Sequence, residues 1–202
     1  MWVRGKRRVV WLGFLLFAWS HLTGLSTAEG PDAENRPSEN TPEESFRKGI
    51  ASYKEERYEE AIAHLEASLR TPTQWEEYPH FYILQSHWKA EHIAEALGFC
   101  KAFQQRFPQS PLIDRVAYIE AEGYQKSSAY WLASRAYESY LEKEESADVR
   151  LRYGGGLEQL ERYSEAHANY QRIRDEWPLS MEAGTAKHRA RKIVEEHPES
   201  IE

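Results

Sequence analysis

The sequence predicts an all-α fold: a right-handed superhelical solenoid of about four helix pairs, closed by a C-terminal capping helix. Two observations lead to this prediction. Tyr58, Ala61, Leu65 and Ser68 recur at the spacing of one α-helix face. The same pattern starts again at residues 93, 130 and 163, so the four starts lie 35, 37 and 33 residues apart. A unit of about 34 residues is typical of helix–turn–helix repeats that stack into a binding scaffold.

The first 28 residues have a different character from the repeats. Basic residues precede an 11-residue apolar run, Val9–Trp19, and Ser26 and Ala28 supply small side chains for a cleavage site. This order predicts a secretory signal peptide over residues 1–28, cleaved after Ala28. The alternative is an uncleaved N-terminal anchor, although the run is short for a bilayer span. We therefore expect secretion across an inner membrane and a periplasmic location, with membrane contact only through an uncleaved signal.

Charge and cysteine content restrict the partners and the chemistry. The chain carries 26 basic and 33 acidic residues, and removal of residues 1–28 would leave 22 basic residues and a net charge of −11. This acidic balance argues against nucleic acid and anionic lipid as main partners. Cys100 is the single cysteine, which excludes an intramolecular disulfide, and its position in the second repeat predicts a buried side chain.

The remaining elements follow in order along the chain. Residues 29–41 are polar and predict a disordered linker. Thr41 as N-cap, Pro42 and Glu44 then form a capping box that starts the repeat domain, residues 42–196. The periodicity and the proline breaks predict helices over 42–55, 58–69, 75–90, 92–107, 111–126, 129–143, 148–161, 163–177 and 180–196. Residues 197–202 are predicted to be a C-terminal tail.

Glycines in the first helices of two pairs indicate close helix packing. Gly49 and Gly154 each stand 12 residues before the repeat alanine, Ala61 or Ala166, where a small side chain lets the two helices of a pair approach. Gly155 and Gly156 leave two interpretations open. They either mark a bend or a backbone contact with a bound partner, or they make this helix locally weak.

These residues resemble the tetratricopeptide repeat. Gly49, Tyr58, Ala61 and the breaks at Pro108 and Pro178 carry the resemblance, which covers about residues 43–196. More narrowly, residues 76–123 resemble the helical N-terminal region of bacterial soluble lytic transglycosylases, and also periplasmic repeat proteins that assist outer-membrane or division machinery. The resemblance implies a helical scaffold and an envelope compartment.

The resemblance does not extend to catalysis. In the transglycosylases, the catalytic Glu lies in a Glu-Ser motif followed downstream by Gly-Leu-Met-Gln. Glu44-Ser45 is such a dipeptide, but it stands at a capped helix start and no Gly-Leu-Met-Gln follows. His80, His87 and His92 lack the companion ligands of a metal framework. We therefore predict no enzymatic activity, no cofactor and no metal site.

The concave face of the solenoid is the candidate site. Fixed offsets before the repeat alanines predict that the first helices of the middle pairs line a partner-binding groove through Tyr78, Phe81, Gln85, Trp88, Arg115, Tyr118, Glu122 and Gln125. The same offsets continue through Asp148, Leu151, Gly155 and Glu158 in the next pair. Aromatic side chains mixed with hydrogen-bonding groups are typical of peptide-binding or sugar-binding surfaces. The alternative is that Phe81, Trp88 and Tyr118 only pack between repeats.

Two functions remain open from the sequence. The first is an exported scaffold of the cell envelope that binds a protein, or an extended peptide segment of one, in its concave groove. The alternative is a peptidoglycan-binding module, or an accessory module of a murein enzyme, related to the helical domains of lytic transglycosylases.

Overall fold

A computed structural model describes residues 41–201, which form nine α-helices and contain no β-strand. The helices are α1 Pro42–Lys54, α2 Tyr58–Ser68, α3 Glu77–Lys89, α4 Ile93–Arg106, α5 Ile113–Lys126, α6 Tyr130–Leu141, α7 Ala147–Gln159, α8 Tyr163–Glu176 and α9 Met181–Glu196. Every predicted helix end agrees with the structure to within two residues. The predicted signal peptide and residues 29–40 of the predicted linker lie outside the described residues.

The helices pack in chain order. Each helix contacts the next one along the chain, and α1 also reaches α3, as α7 reaches α9. Helices α1 to α8 thus form four pairs, and α9 covers the last pair. This arrangement confirms the predicted all-α repeat solenoid. No helix within residues 41–201 combines the length and the apolar content needed to cross a membrane.

Each pair is built around the repeat alanine of its second helix. Ala61, Ala96, Ala133 and Ala166 are fully or almost fully buried, as is the residue four positions later in each helix. A Cβ added to Gly49 would lie 2.6 Å from Leu65 Cγ, and one added to Gly154 would lie 2.5 Å from Tyr170 Cε1. These distances are too short for any real Cβ contact. The glycines therefore allow the close approach that the sequence predicted.

The turn inside each pair has one geometry in all four repeats. Glu56, Glu91, Ser128 and Glu161 have positive φ angles between 57° and 61°. The residue after each of them donates a 2.9 Å backbone hydrogen bond to the carbonyl five positions earlier, as Arg57 does to Ser52. This is the Schellman motif, which satisfies the free carbonyls at a helix end. Every first helix thus ends in the same way.

The two ends of the repeat array are capped differently. At α1, Thr41 Oγ1 accepts a hydrogen bond from the Glu44 backbone N–H at 3.1 Å, which is the N-cap half of the predicted capping box, while the Glu44 carboxylate pairs with Lys48. At the other end, α9 buries its inner face against the last pair through Ala183, Ala186, Ala190 and Ile193. Residues 197–201, within the predicted C-terminal tail, contain a short 3₁₀ helix, Pro198–Ser200. The His197 ring stacks on Tyr163 at 3.6 Å, which extends the cap beyond α9.

Cys100 lies in the core of the second pair. Its side chain is fully buried among Phe81, Leu84 and Phe103. Burial raises the pKa of the thiol to about 12, because the thiolate would lose its hydration. The structure thus agrees with the predicted packing position and places the thiol out of reach of solvent.

Candidate functional site

The concave face contains three adjoining open cavities, which we together call the groove. The first cavity, about 410 Å³, lies between α3, α5 and α7. The second, about 210 Å³, shares Glu122 with the first. The third, about 620 Å³, shares Gln125 and Arg152 with the second and extends to α9. The shared side chains make one continuous surface across the second, third and fourth pairs.

Most of the predicted groove residues meet on this surface. The first cavity brings together Gln85, Trp88, Arg115, Tyr118 and Glu122, and Gln125 lines the other two cavities. Asp148, Leu151 and Gly155 of the fourth pair also line the groove. The first helices present these side chains because residues three and four apart share one face of an α-helix.

Phe81 and Tyr78, which were also predicted to line the groove, lie elsewhere. Phe81 is only 2% exposed and packs against Phe103 in the core, so it presents no ring surface to a partner. The Arg115 guanidinium covers that ring at 4.8 Å. Tyr78 is 41% exposed but lines none of the three cavities. The start of α3 therefore contributes to packing and to outer surface, and the groove begins near Gln85.

A charged network crosses the groove between α5 and α7. Arg152 pairs with Glu122 at 2.7 Å and with Asp148 at 3.1 Å. The Tyr118 hydroxyl donates to Glu122 at 3.1 Å and lies 3.4 Å from Asp148. Burial, followed by the nearby Glu122 charge, raises the pKa of the Tyr118 phenol above its usual value. Tyr118 therefore stays protonated and donates to these carboxylates at neutral pH.

The hydroxyl groups of two buried tyrosines form hydrogen bonds with side chains of the first helices. The Tyr137 hydroxyl donates to Gln125 Oε1 at 2.7 Å. In the next pair, the Tyr170 hydroxyl donates to Glu158 Oε1 at 2.5 Å and accepts a 2.9 Å hydrogen bond from Arg189. Glu158 is turned toward this tyrosine and lines none of the three cavities. The groove side chains Gln125 and Arg189 are thus held by bonds to core tyrosines.

Sequence analysis missed four cationic side chains of the groove. Lys89, Lys126 and Arg152 directly follow predicted groove positions, while Arg189 belongs to the capping helix. The Lys126 ammonium lies 4.7 Å from the Trp88 ring centre, between α5 and α3. A wider helical stripe, including the residue after each groove position, would have found the first three. The fourth required knowing that α9 extends the concave face.

The residues considered for metal binding and for catalysis lie outside the groove. Among residues 41–201, no group of three or more His, Cys, Asp or Glu side chains could hold a metal ion. His87 stacks on Phe99 with ring centres 5.0 Å apart, and burial lowers the pKa of its imidazole. Glu44 of the Glu44-Ser45 dipeptide pairs with Lys48 at 3.0 Å, and Ser45 is buried within the first pair.

Comparison with known proteins bears on the fold. No protein-family model and no curated protein matches the chain. Among solved structures, MamA AMB-1 superposes with a TM-score of 0.64 at 20% identity, over 79% of this chain and 86% of MamA. MamA of Desulfovibrio magneticus RS-1, solved from residue 41 to its end, gives a TM-score of 0.58 at 16% identity, over 68% and 76% of the two chains.

A third solved structure gives a similar result. The putative kinesin light chain of Podosopora anserina, with nearly identical TPR-like repeats, has a TM-score of 0.57 at 11% identity, over 78% of this chain and 89% of that one. At these identities the likeness concerns the fold alone. The comparisons do not show the narrower resemblance to lytic transglycosylases. The chain has the fold of a tetratricopeptide-like helical-repeat solenoid.

Proposed function

We propose that this protein is an exported, non-enzymatic scaffold of the cell envelope, which binds an extended segment of a protein partner in the groove. The continuity of the groove across three helix pairs is the main support. It offers aromatic, amide and charged side chains along one open surface. Such a mixture suits a peptide, whose backbone and side chains need both hydrogen bonds and apolar contact.

The dimensions of the groove agree with this occupant. Adjacent first helices in a stacked array lie about 10 Å apart. The path from α3 to α9 crosses three such steps, or roughly 30 Å, which about nine residues of extended chain would span. A single loop tip would leave much of this length empty. A segment that lies across the helices would use all three cavities.

Site-specific photo-crosslinking in the native host tests the groove. A photoreactive residue is placed at Gln85, Trp88 or Gln125, and at Glu66 on the exposed side of α2 as the control. We expect the same protein, identified by mass spectrometry, at the groove positions and not at Glu66. Equal capture at Glu66 would contradict the proposal. So would partner binding that survives deletion of both middle helix pairs.

Export needs its own test, because it depends on the residue pattern of residues 1–28. The expected product is a chain that begins at Glu29 and fractionates outside the cytoplasm. N-terminal sequencing of the protein from its host decides between cleavage and a retained anchor. A cytoplasmic protein with an intact N-terminus would refute the envelope part of the proposal and leave the groove part standing.

Peptidoglycan binding is the competing function, and the Trp88 ring bears on it. A sugar would use an open aromatic face as a stacking surface, but the Lys126 ammonium lies over this ring at 4.7 Å. We therefore favour a peptide. Co-sedimentation with purified sacculi separates the two, since a peptide-binding scaffold stays in the supernatant. Pelleting that requires Gln85 and Trp88 would establish the peptidoglycan function instead.

A further inference from the structure

The charge of the groove is opposite to that of the chain. Five cationic and two anionic side chains line the three cavities, an excess of three positive charges on a chain with a net charge of −7. The cations are Lys89, Arg115, Lys126, Arg152 and Arg189, and the anions are Glu122 and Asp148. Because the rest of the surface is acidic, this local excess marks the groove as a selective feature.

The five groove cations fall into two groups: two are already bonded to side chains of this protein, and three have no carboxylate partner in the described part of the chain. Arg152 is held by both groove carboxylates, and Arg189 by Tyr170 and, at 3.7 Å, by Glu158. Lys89, Arg115 and Lys126 form no ion pair with any carboxylate of residues 41–201. All three are exposed to solvent. They are the cations that a ligand can neutralise without breaking an existing pair.

Two of these cations are held in place by aromatic rings. The Arg115 guanidinium lies 4.8 Å from the Phe81 ring centre, and the Lys126 ammonium lies 4.7 Å from that of Trp88. A cation over a ring keeps its outer side free for an anion while its position is restricted. Arg115 and Lys126 stand 11 residues apart on α5, which is about 16 Å along the helix and returns to nearly the same face.

We propose that the groove takes an extended acidic segment of its protein partner, whose carboxylates pair with Lys89, Arg115 and Lys126. This inference depends on the proposed function, and it specifies the chemistry of the occupant. The Glu122–Arg152–Asp148 network forms the middle of the surface with a net charge of −1, so the acidic side chains of the segment lie against α3 and α5 around it.

A nucleic acid is the other polyanion to consider, and the groove favours it less. A nucleic-acid backbone carries a charge at every residue and continues beyond the site. On this chain it would run from the groove onto a surface with an overall excess of acidic groups. A short acidic peptide ends where the positive surface ends. Its spaced charges also avoid Glu122 and Asp148.

Synthetic peptides of defined charge test the inference. The probe is a fluorescein-labelled ten-residue peptide of alternating Glu and Ala, compared with Gln–Ala and Lys–Ala peptides of the same length. The binding of each peptide is measured by fluorescence anisotropy, using the protein as it is purified from its host. We expect the Glu–Ala peptide to bind at least about tenfold more tightly than the Gln–Ala peptide. Added salt should weaken this binding.

The chain offers a closely matched control for the charge variants. The double variant Arg115→Gln/Lys126→Gln should lose about tenfold in affinity for the Glu–Ala peptide. The control Lys101→Gln/Arg135→Gln makes the same change in net charge. Its cations also lie over rings, Lys101 at 5.9 Å from Tyr124 and Arg135 at 5.2 Å from Trp131, but they line none of the groove cavities. Thermal melts check that both variants fold.

The remaining outcomes overturn the inference. Three concern the peptides: the Glu–Ala and Gln–Ala peptides bind equally or not at all, the Lys–Ala peptide binds more tightly than the Glu–Ala peptide, or both double variants lose the same affinity for the Glu–Ala peptide. The fourth is that a ten-nucleotide single-stranded DNA binds more tightly than the Glu–Ala peptide. Residues 29–40 carry four acidic side chains. If the Glu–Ala peptide binds only after residues 29–40 have been deleted, the segment that occupies the groove belongs to this chain and not to a partner, and the inference is overturned. If crosslinking captures a groove partner while the acidic preference fails, the proposed function stands and only this inference is lost.

Discussion

Tyr137 and Gln125 are joined by a 2.7 Å hydrogen bond that runs from the core of the third helix pair to its groove surface. Tyr170 and Glu158 make the same bond in the fourth pair, again 12 residues apart, although Glu158 lines none of the groove cavities. The second pair has Cys100 and Trp88 at these positions, and there the groove side chain is held by Lys126 instead. Groove side chains are thus restrained in two different ways along the solenoid.

Removing the two tyrosine hydroxyls should have unequal effects on stability. Tyr137→Phe loses one buried hydrogen bond and should lower the free energy of unfolding by about 1 kcal/mol. Tyr170→Phe should cost more, roughly 2 kcal/mol, because its hydroxyl bonds to both Glu158 and Arg189, which are charged. Urea denaturation measures both. Tyr130→Phe, whose hydroxyl makes only a 3.5 Å contact with Ser128, is the control and should change little.

Two glycines of one helix should respond to alanine with opposite signs. In α7, a Cβ at Gly154 would meet the Tyr170 ring at 2.5 Å, whereas a Cβ at Gly156 would have nothing within 4 Å. Gly154→Ala should therefore destabilise the fold by about 1–3 kcal/mol through overpacking. Gly156→Ala should stabilise it by about 0.5–1 kcal/mol through helix propensity. Thermal unfolding of the two variants decides, and shifts of the same sign would contradict the packing argument.

The buried Arg150 should contribute more than its exposed neighbour Arg172. Arg150 is 7% exposed and donates hydrogen bonds to Glu145 at 2.6 Å and to Asn169 at 3.1 Å. Arg150→Met should cost about 2 kcal/mol, because Asn169 then loses a buried partner. Arg172 reaches Glu145 at 3.1 Å but is 48% exposed, so Arg172→Met should change stability by about 0.5 kcal/mol or less.

The cost of Arg150→Met should also depend on pH. The hydrogen bond from Arg150 lowers the pKa of Glu145, so this pair stabilises the fold above the unfolded-state pKa of the carboxyl. The stabilisation is lost as pH falls through the folded-state pKa. We therefore expect the difference between Arg150→Met and the unchanged chain to narrow below about pH 4. A difference that stays constant down to pH 2 would exclude the ion pair as its source.

Alkaline pH should destabilise the protein. Burial raises the pKa of Cys100 to about 12, well above the value of about 8.5 for a free thiol. The unfolded chain therefore loses the proton first as pH rises, and stability is full below about pH 8.5 and declines toward pH 12. The loss from this thiol at pH 10.5 is on the order of 2 kcal/mol. Cys100→Ala should remove that part of the decline, as measured by urea unfolding at pH 7.5 and 10.5.

The helices could be predicted closely because their signals are local. The repeat period, the proline breaks and the capping of Thr41 each depend on a few neighbouring residues, and the inner face of α9 followed directly from Ala183, Ala186, Ala190 and Ile193. These features do not require knowledge of how one helix pair lies on the next. The fold class therefore followed from periodicity alone.

The groove was less predictable because it depends on packing between pairs. The position of Phe81 in the repeat predicts a groove residue, but its ring packs against Phe103 in the core. Arg150 is charged and yet buried, since Glu145 and Asn169 lie at distances that no helical pattern encodes. Arg189 joins the groove only because α9 continues the array. Long-range contacts of this kind set the charge of the site, and the sequence pattern does not contain them.

The shared turn at Glu56, Glu91, Ser128 and Glu161 gives all four helix pairs the same connection between their two helices. A unit of two helices that runs from one such turn to the next could be inserted or removed without any new backbone conformation at the turn. The length of the groove would then change by one step of about 10 Å, or roughly three residues of bound chain. The number of pairs therefore sets the length of the segment that the groove can bind. We expect chains with three, four and five pairs to select segments of increasing length.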